Sequence, residues 1–328
     1  MNFKKKLHYI FLLLLLMLPS IVFAYSNYII PGGDNIGIKV NTKYITIVGF
    51  YKVGDSYIGE DAGFKAGDKI ASIEGENVTS IEEMIKLVDK YKDKSEVKVN
   101  FIRNGKTLNT NLSLKLDDNG VYKTGLYVKD QINGIGTITY IDPQTKIYGA
   151  LGHEIADKTT LQKVEIKDGK IFKSEITGIK PSTDGEPGEK KAKLYTDDDL
   201  GSIYSNEESG IFGLYTGSVS NENAIEVAEP NDVKLGKAII RTVIAGNNIQ
   251  EFEIEILEID KTSPTKNILF KITDKELLEK TGGIVAGMSG SPIIQNNRIV
   301  GAVTHVIVND ADKGYGIFIT TMLEEGER

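Results

Sequence analysis

A serine held between glycines and followed at once by two extended segments leaves the surrounding chain few options. Gly287-Met288-Ser289-Gly290-Ser291-Pro292 is such a stretch. Gly282-Gly283-Ile284-Val285-Ala286 precedes it, and Ile293-Ile294-Gln295-Asn296-Asn297-Arg298-Ile299-Val300-Gly301-Ala302-Val303 follows. Pro292 and the β-branched residues after it oppose a helix. The pattern therefore reads as a tight glycine loop, a hairpin turning at Asn296-Asn297 and a buried strand. Flanking glycines let the backbone bend so that neighbouring N–H groups converge on one oxygen. Gly287 and Ser289 would supply those two donors as an oxyanion hole, with Ser289 as nucleophile. Ser291 is a second candidate, but the proline after it restricts its backbone. The competing reading is a plain Gly-Ser turn between strands.

A serine nucleophile needs a base, and the composition narrows the choice. The 328 residues include three histidines, His8, His153 and His305, and no cysteine. A thiol nucleophile, a disulfide scaffold and a zinc-thiolate site are excluded. His8 lies in an N-terminal apolar segment. His153 ends the stretch Ile147-Tyr148-Gly149-Ala150-Leu151-Gly152-His153, where a strand gives way to a loop and the glycines allow close backbone approach. It is the candidate general base. His305, on the strand after the nucleophile hairpin, is a specificity candidate or a core packing residue. Asp197-Asp198-Asp199 reads as a solvated acidic turn, a hydrogen-bond partner or a weak cation site. No spacing of metal ligands occurs, and the chemistry needs no cofactor. The formal net charge is −7, with no basic stripe, which argues against nucleic acid as a partner.

The chain opens with Lys4-Lys5-Lys6 and an apolar run over 9–18, extended past Pro19-Ser20 to Ala24. Val22-x-Ala24 satisfies the small-residue rule for signal cleavage, so residues 1–24 read as a signal peptide or a retained N-terminal anchor. Residues 25–35 read as a linker. Ala62-Gly63-Phe64-Lys65-Ala66-Gly67-Asp68-Lys69-Ile70 and Ile73-Glu74-Gly75 then resemble the signature of bacterial PDZ domains. A helix capped at Thr79-Ser80 places Ile81, Met84, Ile85 and Val88 on one face. A hairpin turns at Asn104-Gly105. The PDZ resemblance over 36–118 implies capture of peptide C-termini by strand addition, with the carboxylate in a backbone nest. Ile36-Gly37-Ile38 is either that carboxylate loop or simply the start of a strand.

From residue 119 the pattern changes to short strands, as in an all-β domain. Residues 181–193 are polar and read as a mobile surface loop. Thr273-x-x-Glu276 forms a capping box for a short helix ending at Gly282. The serine motif resembles Gly-Asp-Ser-Gly-Gly-Pro of chymotrypsin-like serine proteases. Its longer form, Gly-Met-Ser-Gly-Ser-Pro-Ile-Ile-Gln, is similar to the nucleophile segment of the stage IV sporulation protein B peptidase family, and Gly-Ala-Leu-Gly-His to the segment carrying that family's catalytic histidine. The resemblance runs from about residue 29 to the C-terminus. It implies a mainly β chain, with an α+β PDZ domain followed by a double-barrel protease domain over 119–328, and a triad of His153, Asp274 and Ser289. Asp274 lies only fifteen residues before Ser289, so a helix-capping role competes with the catalytic one, and 197–199 hold substitute acids. The family further implies a sporulation protease exported between the forespore and mother-cell membranes. It would trim its own N-terminus within the 25–35 linker, at Tyr25 to Asp34, and cleave the regulator of a membrane-embedded sigma-factor-processing protease. Two rivals stand beside this: a catalytically inactive PDZ interaction protein, and an esterase or acyltransferase using the same serine. The esterase elbow would require Gly-x-Ser-x-Gly leading into a helix, and the last glycine is missing here.

Overall fold

Phe252, Ile254 and Ile256 alternate with Glu251, Glu253 and Glu255, and the three apolar side chains are buried while the three glutamates are exposed. This period of two is what a strand with one wet face requires. The computed structural model describes residues 25–117 and 119–328, so the segment read as a signal or anchor lies outside the described residues. Among the described residues no helix is long and apolar enough to cross a membrane.

The alternating strands close into two barrels. In the first, Asn35–Phe50, Leu126–Ile141, Ile147–Ala150, Gly210–Tyr215, Gly188–Glu207 and Ile166–Lys180 pair in that order and return to Asn35–Phe50. In the second, Gly236–Val243, Ile249–Ile259, Ile268–Ile272, Asp310–Phe318, Arg298–Ile307 and Pro292–Gln295 close likewise. Ile36, Ile38, Tyr148, Ile171 and Ile211 fill the first interior. Ile240, Phe252, Phe270, Ile293 and Val303 fill the second. A further cluster, including Ile29, Tyr140, Phe212, Ile317 and Met322, joins strands of both barrels to the helix Ile319–Gly326.

The PDZ domain sits inside the first barrel's connectivity, not ahead of it. Residues 35–41 pair with 131–137 on one side, and 36–42 pair with 166–173 on the other. The same strand then runs on as 45–50 into the PDZ sheet, where it pairs with 69–70 and 126–129. Everything between the first two barrel strands is therefore the PDZ domain, and barrel structure begins at Asn35, not at 119. This corrects the assignment of Ile36-Gly37-Ile38. Both edges of that segment are hydrogen-bonded, Ile36 and Ile38 are buried in the barrel core, and a Cβ on Gly37 would meet Leu194 Cδ2 at 2.7 Å. No amide there is left for a peptide carboxylate. The PDZ groove lies elsewhere, between the helix Ile81–Lys90 and residues 126–128. Met84, Ile85, Val88, Leu126 and Val128 line its volume of about 660 Å³.

The linker reading of 25–35 also changes. Tyr28–Pro31 is a strand that stitches the barrels together: Tyr28 and Ile29 pair with Glu226 and Ile225, while Ile30 and Pro31 pair with Ile141 and Tyr140. Of 181–193, only 183–187 form an exposed turn. Ser182 is buried, donates to the Ile284 carbonyl and accepts the Gly188 N–H, and Gly188 starts a barrel strand. The hairpin turns form as expected, with positive φ at Asn104 and Gly105 and at Asn296 and Asn297.

Candidate active site

The serine loop is held by a complete hydrogen-bond account. Met288 is fully buried in the second barrel's core, which turns its neighbour Ser289 outward. Met288 N–H donates to the Val285 carbonyl, Gly290 N–H to Val303 and Ser291 N–H to Met288. The outward carbonyls are taken by the first barrel: Thr137 Oγ1 donates to Gly287 O at 2.8 Å, Thr137 N–H to Ser289 O at 3.0 Å, and Thr139 Oγ1 to Gly290 O at 2.8 Å. Among the described residues, the N–H groups of Gly287 and Ser289 have no protein acceptor. An oxyanion hole requires two such donors left free by an otherwise satisfied loop. Ser291 is wholly buried with an unpartnered hydroxyl and faces no cleft.

Ser289 and His153 are brought to one cleft of about 720 Å³, whose walls include Ile135, Leu151, Lys190 and Gly287. Ser289 Oγ donates to the Thr304 carbonyl at 2.9 Å. The hydroxyl proton thus rests on main chain and would have to leave the Thr304 carbonyl to reach the imidazole; slack of this kind is common before substrate binds. His153 Nδ1 lies 2.8 Å from the Glu154 carbonyl oxygen. A carbonyl can only accept, so Nδ1 carries the proton and Nε2 presents its lone pair, as a general base requires. Burial lowers the His153 pKa from 6.5, opposed by the Glu154 carbonyl and carboxylate. The imidazole is therefore neutral at neutral pH.

Asp274 is not brought to His153. Its carboxylate caps the helix Lys275–Thr281 by accepting the Leu277 N–H at 2.9 Å, and Glu154 is the one carboxylate whose charge acts on the imidazole. Asp274, not Thr273, is the cap residue, and Gly282 closes the helix in the left-handed conformation as expected. Asp199 pairs with Lys170 and accepts the Gly201 N–H, within a barrel strand. His305 lies against His153, ring centroids 5.3 Å apart at 42°. Its ring keeps an exposed edge, yet its pKa is pushed down to about 4, by burial first and then by repulsion from His153. No group of three or more candidate metal ligands occurs among the described residues.

Sequence reasoning missed three residues. Thr137 and Thr139 share one face of their strand, and the alternation Ile135-Gly136-Thr137-Ile138-Thr139-Tyr140 held that signal. Lys190 is buried, donates from Nζ to Thr242 Oγ1 at 2.9 Å and is pushed down to about 7 by burial alone. A Cβ on Gly287 would stand 3.1 Å from its Cδ, so its stem backs the oxyanion loop. Thr137→Val keeps the shape but strands the Gly287 carbonyl. We expect a loss of about 1–3 kcal/mol in stability together with slower acylation of Ser289, measured by thermal melting and by the rate of labelling with a fluorophosphonate. Unchanged values in both would show that the threonine does not hold the loop.

Two β-barrels with a glycine-flanked serine and a neutral histidine in one cleft, and a PDZ domain built into the first barrel, define a serine endopeptidase of the double-barrel class. The chain belongs to the SpoIVB peptidase S55 family, whose model matches residues 120–323; a PDZ domain model matches 35–114. Among solved structures the chain is similar to the PDZ domain of the SdrC-like protein from Listeria monocytogenes, at 25% identity over 28% of this chain and 93% of that one, TM-score 0.24. It is also similar to the active form of the Rv3671c protease from M. tuberculosis, at 14% identity over 58% and 71%, TM-score 0.32. A third is the thermostable serine protease AL20 from an extremophilic microorganism, at 8% identity over 59% and 91%, TM-score 0.35. No curated protein matches the chain.

Proposed function

We propose that this serine endopeptidase is an exported signalling protease of sporulation. Ser289 is the nucleophile, His153 the general base, and the N–H groups of Gly287 and Ser289 the oxyanion hole. His153 takes the Ser289 proton as Oγ attacks a peptide carbonyl, then returns it to the leaving amine; water repeats the cycle on the acyl-enzyme. The observation that carries this reading is the pair of N–H groups without a protein acceptor among the described residues, on two residues that line the cleft also holding the neutral imidazole. His305, against the base, is the candidate for reading a substrate side chain. The basic and apolar N-terminus supports export, ahead of cleavage or as a membrane tether, into the space between forespore and mother-cell membranes.

Two substrates follow: the chain's own N-terminus and a membrane-associated regulator of a sigma-factor-processing protease. The PDZ groove would hold a peptide C-terminus of the substrate. Because 28–31 is a paired strand with Ile29 fully buried, self-trimming is expected upstream of Tyr28. Co-expression of the full chain with a membrane-anchored regulator tests this. Wild type should yield a new N-terminus before Tyr28, read by mass spectrometry, and a cleaved regulator; Ser289→Ala should yield neither. Trimming that persists in Ser289→Ala would assign it to another protease, and an intact regulator beside trimmed wild type would remove the signalling role.

A further inference from the structure

With Asp274 engaged in capping, some other group must hold His153 in its productive tautomer. The local backbone does not do so unaided: Leu151 and Gly152, with φ of 72° and 70°, turn the chain through two successive left-handed residues just before the histidine. Such a conformation in a leucine is strained and persists only where its surroundings fix it.

We propose that Asn206 orients the catalytic base through a single peptide group. This rests on the assignment of His153 as base. The Glu154 carbonyl that accepts His153 Nδ1–H belongs to the same planar unit as the Ile155 N–H. That N–H donates to Asn206 Oδ1 at 2.7 Å. The side chain of Asn206 cannot swing away or exchange its amide ends. Its Nδ2 donates to the Ile155 carbonyl at 3.0 Å and to the Val164 carbonyl at 2.9 Å, and the residue is 4% exposed on the barrel strand Gly188–Glu207. The sequence of contacts is Nδ1–H of His153, the Glu154–Ile155 peptide, and the carboxamide of Asn206. An acceptor on the N–H end of a peptide polarises it and strengthens its oxygen as an acceptor. When His153 takes the serine proton, its Nδ1–H becomes more acidic, and the polarised carbonyl stabilises the imidazolium. The third place beside serine and histidine is thus filled by main chain, with Asn206 as a positioning residue on a rigid strand.

The experiment compares Asn206→Leu and Asn206→Asp with wild type in the mature chain. It reads the fluorophosphonate labelling rate against pH and the ¹⁵N resonances of His153. Asn206→Leu cuts the relay: labelling should slow by about 10- to 100-fold, and His153 should lose its single Nδ1–H tautomer. Asn206→Asp keeps an acceptor facing the Ile155 N–H but gives up both donations. It should retain the tautomer and shift the acid limb of labelling to higher pH, since a carboxylate at the end of the relay favours the imidazolium. Glu154, His305 and Lys266, the other ionisable groups acting on the two neighbouring histidines, are unaltered. A wild-type tautomer in Asn206→Leu, or an unmoved acid limb in Asn206→Asp, would overturn the relay, and the second variant decides alone if the first does not fold. A wild-type chain that no fluorophosphonate labels would remove the enzyme assignment, while the tautomer comparison would still decide the relay.

Discussion

Ser289→Ala should abolish fluorophosphonate labelling, and His153→Ala should slow it by about 10⁴-fold or more, while Asp274→Asn labels close to the wild-type rate. On the proposed mechanism, the first two changes remove the attacking oxygen and the atom that takes its proton. The third replaces one good helix cap with another, since asparagine and aspartate rank together at that position. Asp274→Ala should instead lower stability by about 1 kcal/mol and leave labelling intact. The pH profile carries the same logic. Burial lowers the pKa of His153 below 6.5, so its neutral form persists as pH falls through that value, and the acid limb should lie below 6.5. A labelling rate that collapses in Asp274→Asn as it does in His153→Ala would show that the carboxylate reaches the imidazole during the reaction, against the resting geometry.

What could be read from sequence was local. The glycine loop, the Asn104-Gly105 and Asn296-Asn297 turns and the PDZ signature each declare themselves within a dozen residues, because the backbone conformation they need admits few residue types. The serine–histidine pairing was legible by scarcity, since two histidines serve the whole described chain. The remainder depended on partners distant in sequence. Residues 35–42 look the same whether they open a PDZ domain or a barrel; only pairing with 131–137 and 166–173 decides. Asp274 satisfied chain order, yet order does not separate a capping carboxylate from a catalytic one. Polar composition made 181–193 look like a surface loop, although Ser182 and Lys190 find buried partners in Ile284 and Thr242. Asn206 carried no signal of its own, because a buried carboxamide among the polar residues at the end of a strand is visible only through the backbone groups it binds.

The same dependence on distant contacts sets the largest structural effect expected of one substitution. Gly290→Ala should unfold the serine loop. Gly290 has φ of 92°, where an L-residue is strained, and a Cβ there would stand 2.1 Å from the Thr137 carbonyl oxygen and 2.5 Å from the Leu151 N. Neither neighbour can yield cheaply. Thr137 binds the loop through both its N–H and its hydroxyl, and Leu151 holds the left-handed turn into His153. The added methyl group would therefore push the nucleophile's loop and the base's loop apart at the point where they touch. Strain plus the loss of these buried bonds should cost on the order of 4 kcal/mol, lowering the melting temperature by about 10 °C for a domain of this size and removing fluorophosphonate labelling. Gly178→Ala is the matched control, since a Cβ there meets nothing within 4 Å; its melting and labelling should match wild type. A Gly290→Ala chain that melts and labels normally would mean that the two loops are not in contact, and the assignment of Ser289 and His153 to one site would fall with it.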